Sequence, residues 1–210
     1  MPVNLVWATP DGDRLVAKLA RVSNPDNQDN PDTERLIRYL VKHKHWSPFE
    51  MVSACLEIET TRDVGRQILR HRSFSFQEFS QRYQDVSKLK QAPLRECRLQ
   101  DTRNRQNSLA TDDPALRLWW DSAQAYITDA AFYTYSEALR RGIAKEQARA
   151  ILPEGLTPSR LYMAGTLRSW LHFIQVRATP ETQAECRVIA EQAREVLQHS
   201  FPETMRAVKA

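Results

Sequence analysis

The run MVSACLEIETT, residues 51–61, constrains the fold most. Successive side chains of an extended chain point to opposite sides, so Val52, Ala54, Leu56 and Ile58 fall on one face. A strand with so complete an apolar face must be covered by a second layer, and the chain therefore needs both a sheet and something packed on it. DVGRQILRHR, residues 63–72, follows almost directly and reads as a helix, with Asp63 suited to the positive N-terminal end of its dipole. On this reading Gln67, Arg70 and His71 share a helix face through i+3 and i+4 spacing.

The same two periods recur through the 210 residues. VNLVWAT is a strand ended by Pro10, and DGDRLVAKLARVS sets Leu15, Val16, Leu19 and Val22 at helical spacing. TERLIRYLVKH is a helix with Leu36, Tyr39 and Leu40 as its apolar stripe, ended by residues 45–48. Phe74 and Phe76 alternate as in a strand, and Glu78, Ser80 and Arg82 project together if the chain stays extended. Residues 86–112 carry little periodicity and read as a long excursion or flap. PALRLWWDSAQAYITDAAFYTYSEALRRG is the longest helical pattern, ending at Gly142, and AKEQARAIL is a short helix stopped by Pro153. SRLYMAGTLRSWLHFIQVR starts ambiguously and ends helical. TPETQAECRVIAEQAREVLQHSF is a final helix with Pro180 near its first turn and Thr179 as cap. No GxGxxG occurs, which excludes a doubly wound dinucleotide fold. The expected class is α+β, a mostly antiparallel sheet with helices packed on it, in one domain over residues 1–210.

A hydrophobic share of 41% with only 5 glycines fits an ordered globular chain. Lys and Arg total 30 against 26 acidic residues, and a formal charge of +4 is too small to imply nucleic-acid binding by itself. Placement of the arginines matters more, and several lie inside segments with apolar periodicity. Cys55, Cys97 and Cys186 form no CxxC pair, so no disulfide framework and no metal-ligand pattern is expected. No apolar run approaches the roughly eighteen residues of a membrane span, and a soluble, cytoplasmic protein with no membrane partner is expected.

LRHRSFSFQEFSQRY, residues 69–83, concentrates Arg70, His71, Arg72, Glu78, Ser80 and Arg82 among aromatic rings. A helix end bearing cations, followed by a strand in which Glu78 pairs with Arg82, would account for it without function. The functional alternative is that guanidinium forks bind phosphate or carboxylate, while imidazole, hydroxyl and carboxylate groups address a polar heterocycle. A third possibility is a basic RNA- or DNA-binding module with stacking rings.

RHR at 70–72 followed after seven residues by Ser80 resembles the signature of the flavin-dependent thymidylate synthases. The likeness extends to Gln67, Arg82, HWSPFE (45–50), ARAILP (148–153) and TLRSWLHFIQVR (166–177), in the family's order over most of the chain. By that resemblance Arg70, His71 and Arg72 hold FAD, with His45, Ser47, Glu78, Thr166, Arg168 and His172 on the cofactor side. Gln67, Ser80, Gln81 and Arg82, together with Arg70 and Glu78, face dUMP. Arg149 reaches the phosphate of a nucleotide bound mainly by another subunit, and Arg177 is the electrostatic catalyst that stabilises negative charge at N3 of the uracil. Against these roles stand plainer ones: Arg149 in an i−3 ion pair with Glu146, His45 capping a helix, and His172 as a core histidine. Thr166 and Glu181 replace an asparagine and a histidine of some members, which bears on the far flavin wall.

The resemblance implies dUMP methylation to dTMP, with 5,10-methylenetetrahydrofolate as carbon donor and NADPH as reductant, in a homotetramer with shared active sites. The residues agree on one point: a thiolate nucleophile needs a cationic, partly exposed setting, and none of the three cysteines clearly has one. Cys97, beside Arg95 and Arg98, comes nearest.

Overall fold

A computed structural model defines the fold and describes residues 1–208. In chain order the elements are β1 (Val3–Ala8), α1 (Gly12–Ala20), α2 (Glu34–Lys42), β2 (Ser53–Thr61), α3 (Arg62–Ile68), β3 (Ser75–Glu78), β4 (Arg98–Gln100), β5 (Ser108–Ala110), α4 (Pro114–Arg140), α5 (Lys145–Ala148), β6 (Pro158–Thr166), α6 (Leu167–Arg177), α7 (Ala184–Ser200) and α8 (Pro202–Ala207). Four strands form a sheet in the order β1-β2-β6-β3, and β4 pairs with β5 in an antiparallel hairpin. The class is α+β with antiparallel sheet, as the alternating pattern of residues 51–61 requires.

The chain packs as two compact units. One contains Met1, Glu59–Arg70 and Glu78–Leu161; the other contains Pro2–Ile58, His71–Gln77 and the described residues from Tyr162 onward.

In the second unit β1 runs antiparallel to β2, with Val3 opposite Ile58 and Ala8 opposite Ala54, and a bulge between Leu5 and Trp7. Val52, Ala54, Leu56 and Ile58 are each 0% exposed, and α7 packs on β1, α6 and α8. Trp170 of α6 is fully buried and donates from Nε1 to the Ala54 carbonyl at 3.1 Å. Gly165 allows a close approach: a Cβ there would lie 2.4 Å from the ring of Phe74, so any side chain would displace that ring. Asp13 of α1 accepts from the Glu203 and Thr204 amides and from the Thr204 hydroxyl, capping α8; burial raises its pKa against these hydrogen bonds.

In the first unit α4 and α5 surround a small core of Val86, Tyr135, Ala138 and Ala148. Asp113 caps α4 by accepting from the Ala115 and Leu116 amides, and Gly142 at φ 83 follows its C-terminus. Arg95 pins the preceding segment. Its Nη2 donates to Asp63 at 2.8 Å, to the Thr61 hydroxyl at 2.6 Å and to the Gly155 carbonyl at 3.1 Å. Its own carbonyl accepts from Trp120 Nε1 and Gln124 Nε2, and its amide donates to Gln124 Oε1.

Several sequence expectations need correction. Val22 lies beyond α1 and is 68% exposed, and Tyr39 is 51% exposed whereas Ile37 is the buried partner of Leu40. The α3 helix ends at Ile68, so Arg70 stands in the following turn and His71 outside the helix. β3 ends at Glu78 and residues 81–83 turn, so Glu78, Ser80 and Arg82 do not share a strand face. Residues 86–112 are not featureless: they hold a 3-10 turn at Val86–Lys88 and the β4–β5 hairpin. Thr179 and Pro180 precede α7, which begins at Ala184 with Gln183 at its cap position, and α8 follows it. Among the described residues no helix is long and apolar enough to cross a membrane.

Candidate active site

The residues singled out in the sequence divide between the two units. Gln67, Arg70, Glu78, Ser80, Gln81, Arg82 and Arg149 belong to the first. Here β3 delivers Glu78 at its last position, and the turn that follows carries Ser80, Gln81 and Arg82. Glu78 does not pair with Arg82. Its Oε1 accepts from Ser159 at 2.8 Å and from Arg62 at 3.5 Å, while Arg82 pairs with Glu146 at 3.5 Å. Glu146 is thereby taken from Arg149, which stands half-buried at the start of a 3-10 turn with no ion pair among the described residues. Gln81 is 4% exposed and its Nε2 has no acceptor, a donor that a bound molecule could satisfy. Arg70 is exposed and likewise without an ion pair among the described residues.

His45, Ser47, His71, Arg72, Thr166, Arg168, His172 and Arg177 belong to the second unit. Arg177, the last residue of α6, donates from Nε to His71 Nε2 at 2.9 Å. An imidazole nitrogen can accept only when it carries no proton, so this bond fixes a neutral ring with its proton on Nδ1. The surroundings agree. Burial, then the charge of Arg177, then His172 lower the His71 pKa from 6.5 to about 4. Phe173 and Phe74 stand edge-on to the ring at centroid distances of 5.0 and 6.5 Å, and His172 lies at 6.3 Å.

His172 is exposed and is no core histidine. It lines a cavity of about 350 Å³ with Trp46, Glu50, Arg168, Ser169 and Gln175. Glu50 organises the rim: its carboxylate accepts from Thr166 at 2.7 Å and Arg168 at 2.6 Å. The Thr166 hydroxyl, ahead of Arg168, holds the Glu50 carboxyl below the usual range. Thr166 also caps α6 by accepting from the Ser169 amide. His45 is exposed; its amide closes the end of α2 on the Leu40 carbonyl after Lys44 takes a left-handed φ of 57. Ser47 opens the next 3-10 turn, and Arg72 is exposed with no ion pair among the described residues.

The three cysteines are free and buried, Cys97 among them at 9% exposure. Burial raises the thiol pKa of Cys55 and of Cys186, the latter against the opposing charge of Arg177. Sequence reasoning gave Arg62, Glu50 and Ser159 no role. Glu50 sits inside the HWSPFE match and could have been noticed, whereas Ser159 meets Glu78 across 81 positions and left no local signal.

Exposed guanidinium groups with no protein anion, and a cavity walled by indole, imidazole and amide groups, are built for anionic, ring-bearing ligands. The family described as thymidylate synthase complementing protein matches residues 4–203. A flavin-dependent thymidylate synthase of Synechocystis is 47% identical over 96% of this chain and 90% of its own length. A probable flavin-dependent thymidylate synthase of Paramecium bursaria Chlorella virus 1 is 44% identical over 93% of the chain and 90% of its own. A UMP/dUMP methylase from Streptomyces cacaoi, crystallised with 5-Br dUMP, superposes with a TM-score of 0.81 at 30% identity, covering 98% of this chain and 93% of that one. The chain belongs to the flavin-dependent thymidylate synthases.

Proposed function

We propose that this protein methylates dUMP to dTMP reductively, using FAD, 5,10-methylenetetrahydrofolate and NADPH. The observation that carries this is the state of the signature arginines. Arg70, Arg72 and Arg149 stand without ion pairs among the described residues, while Arg66, Arg140, Arg141 and others are paired. Unpaired forks in these places suit phosphate. The donor set around the cavity fits a flavin: Trp46 and His172 offer flat faces, and Arg168, Gln175 and Ser169 offer donors to ring and phosphate atoms. On the family resemblance alone we also assign His45, Ser47, Arg70, His71 and Arg72 to the flavin.

FAD, when bound and reduced by NADPH, would supply the hydride for the one-carbon unit. The chain's own groups bind and polarise. Gln67, Ser80, Gln81, Arg82 and Glu78 hold the nucleotide, Arg149 its phosphate, and Arg177 stabilises charge as it grows on the uracil. No cysteine adds to the pyrimidine, since all three are buried. The purified protein should be yellow, and turnover should require dUMP, methylenetetrahydrofolate and NADPH together. A preparation without flavin absorbance that stays inactive after added FAD would refute the proposal.

The same reading makes the protein a cytoplasmic homotetramer in which Arg149 serves a neighbour's site. Supporting this, α4 leaves Trp119, Tyr126 and Tyr133 exposed at seven-residue spacing, 62, 72 and 68% respectively, an apolar stripe uncommon on a lone helix of a monomer. Arg149→Ala and Arg70→Ala subunits, each nearly inactive at dUMP well below its KM, should regain part of the activity when allowed to exchange. Hybrids that form and stay inactive would exclude shared sites.

A further inference from the structure

We infer that Ser159 and Arg62 are positioning residues that orient the Glu78 carboxylate toward the nucleotide. Neither belongs to the signature. Ser159 is 3% exposed in β6, and its hydroxyl donates to Glu78 Oε1 at 2.8 Å. Arg62, the first residue of α3, has a side chain only 15% exposed and brings Nη1 to 3.5 Å from the same oxygen. Its Nε lies 3.9 Å from Glu154, so its charge is shared between two carboxylates. Both donors converge on Oε1. Oε2 accepts no hydrogen bond among the described residues.

A carboxylate has about four lone-pair positions, two on each oxygen. Filling one oxygen from two directions fixes the plane of the group and leaves the other as a directed acceptor. Gly65 packs beside the same oxygen, and a Cβ there would lie 3.8 Å from Oε1, an ordinary contact distance. The same Phe79 amide that follows Glu78 donates to the Arg160 carbonyl at 2.8 Å, so the backbone next to both ends of the Ser159–Glu78 bond is also held. A ligand hydroxyl or ring N–H meeting Oε2 therefore finds an acceptor that does not have to be ordered on binding, and this lowers the entropic cost of the contact.

The inference rests on the reading of Glu78 as a nucleotide ligand, and a double-mutant cycle separates the two. On FAD-loaded enzyme, dUMP KM, kcat and equilibrium dUMP binding are measured for Ser159→Ala, Glu78→Ala and the double variant, with thermal melting as the check on folding. Ser159→Ala should raise the KM and the binding constant for dUMP about fivefold with kcat within about twofold, the loss expected from one charge-assisted bond acting indirectly. Ser159→Thr, which keeps the hydroxyl, should restore most of it, and Arg62→Gln should act in the same direction. In the Glu78→Ala background the Ser159 change should add nothing. An equal loss in both backgrounds would mean that Ser159 acts on the strand and not through Glu78. A lower melting temperature with unchanged dUMP affinity would overturn the inference as well. If Glu78→Ala itself leaves dUMP binding unchanged, the nucleotide role of Glu78 fails first and takes this inference with it.

Discussion

The surroundings of Glu78 and those of His71 use similar side chains and treat charge in opposite ways. Around Glu78 a carboxylate meets a guanidinium and a hydroxyl, and the nearby candidate ligands are arginines, serine and glutamine. Serine and glutamine side chains carry no charge and a guanidinium keeps its own, so these are fixed donors and acceptors. Around His71 a guanidinium is set against a neutral imidazole, inside a wall of Phe74, Phe173 and His172. That pairing exists only while the ring stays uncharged. The comparison separates a permanent binding surface from one whose electrostatics can be switched off by acid.

Four experiments break or sharpen that contrast. The largest effect is expected at Arg177. Replacement by Lys removes the planar fork that spreads charge over a ring nitrogen and its neighbouring oxygen, and should lower kcat about a hundredfold while dUMP binding changes little. A raised KM at constant kcat would transfer Arg177 to the binding group. Next, Arg149→Ala should raise the KM for dUMP by about tenfold, the loss of a charge-assisted phosphate contact, with kcat less affected. A KM unchanged by that substitution would leave its unpaired guanidinium without a function.

The third effect follows from His71. Its folded pKa of about 4 lies below the ordinary 6.5, so the unfolded chain binds more protons between these values, and stability falls as pH drops through that window. Chemical denaturation of the protein at pH 7.5 and pH 4.5 should show the loss, and His71→Gln should flatten the slope. An unchanged slope would mean that other groups govern the acid limb. The smallest effect is expected at the cysteines: Ala or Ser at Cys55, Cys97 or Cys186 should change turnover by less than about twofold. Cys97 deserves separate measurement, because loss of turnover there with the fold intact would restore a thiolate mechanism.

Local pattern revealed much of this molecule and missed what distance hides. The alternation of Val52, Ala54, Leu56 and Ile58 gave a strand whose burial is complete, and the long helical pattern before Gly142 became α4. The order of RHR, Ser80, ARAILP and TLRSWLHFIQVR led to the family. Periodicity failed where polar chemistry ended an element. It carried a helix through Arg70 and His71, although α3 stops at Ile68, and it kept Ser80 and Arg82 extended where the chain turns. It also misassigned Tyr39, because a helix stripe one position wide cannot distinguish a ring on the rim from Ile37 beneath it. Pairings between distant segments were invisible. Arg177 with His71, and Ser159 with Glu78, are separated by 106 and 81 positions, so only the assembled sheet and helices bring them together.

Arg95 has a consequence for the order in which the chain assembles. The bonds of its side chain and backbone described above reach at least 25 residues away, and the one to Gly155 spans 60. Contacts of that separation form only after the intervening chain has been confined, since closing a loop costs entropy before the contact returns anything. Asp63 must already sit in the first turn of α3, and Trp120 and Gln124 must already lie on one face of α4, before Arg95 finds its partners. On this argument the segment it anchors settles only after α3 and α4 have formed. One guanidinium acts as the closing stitch.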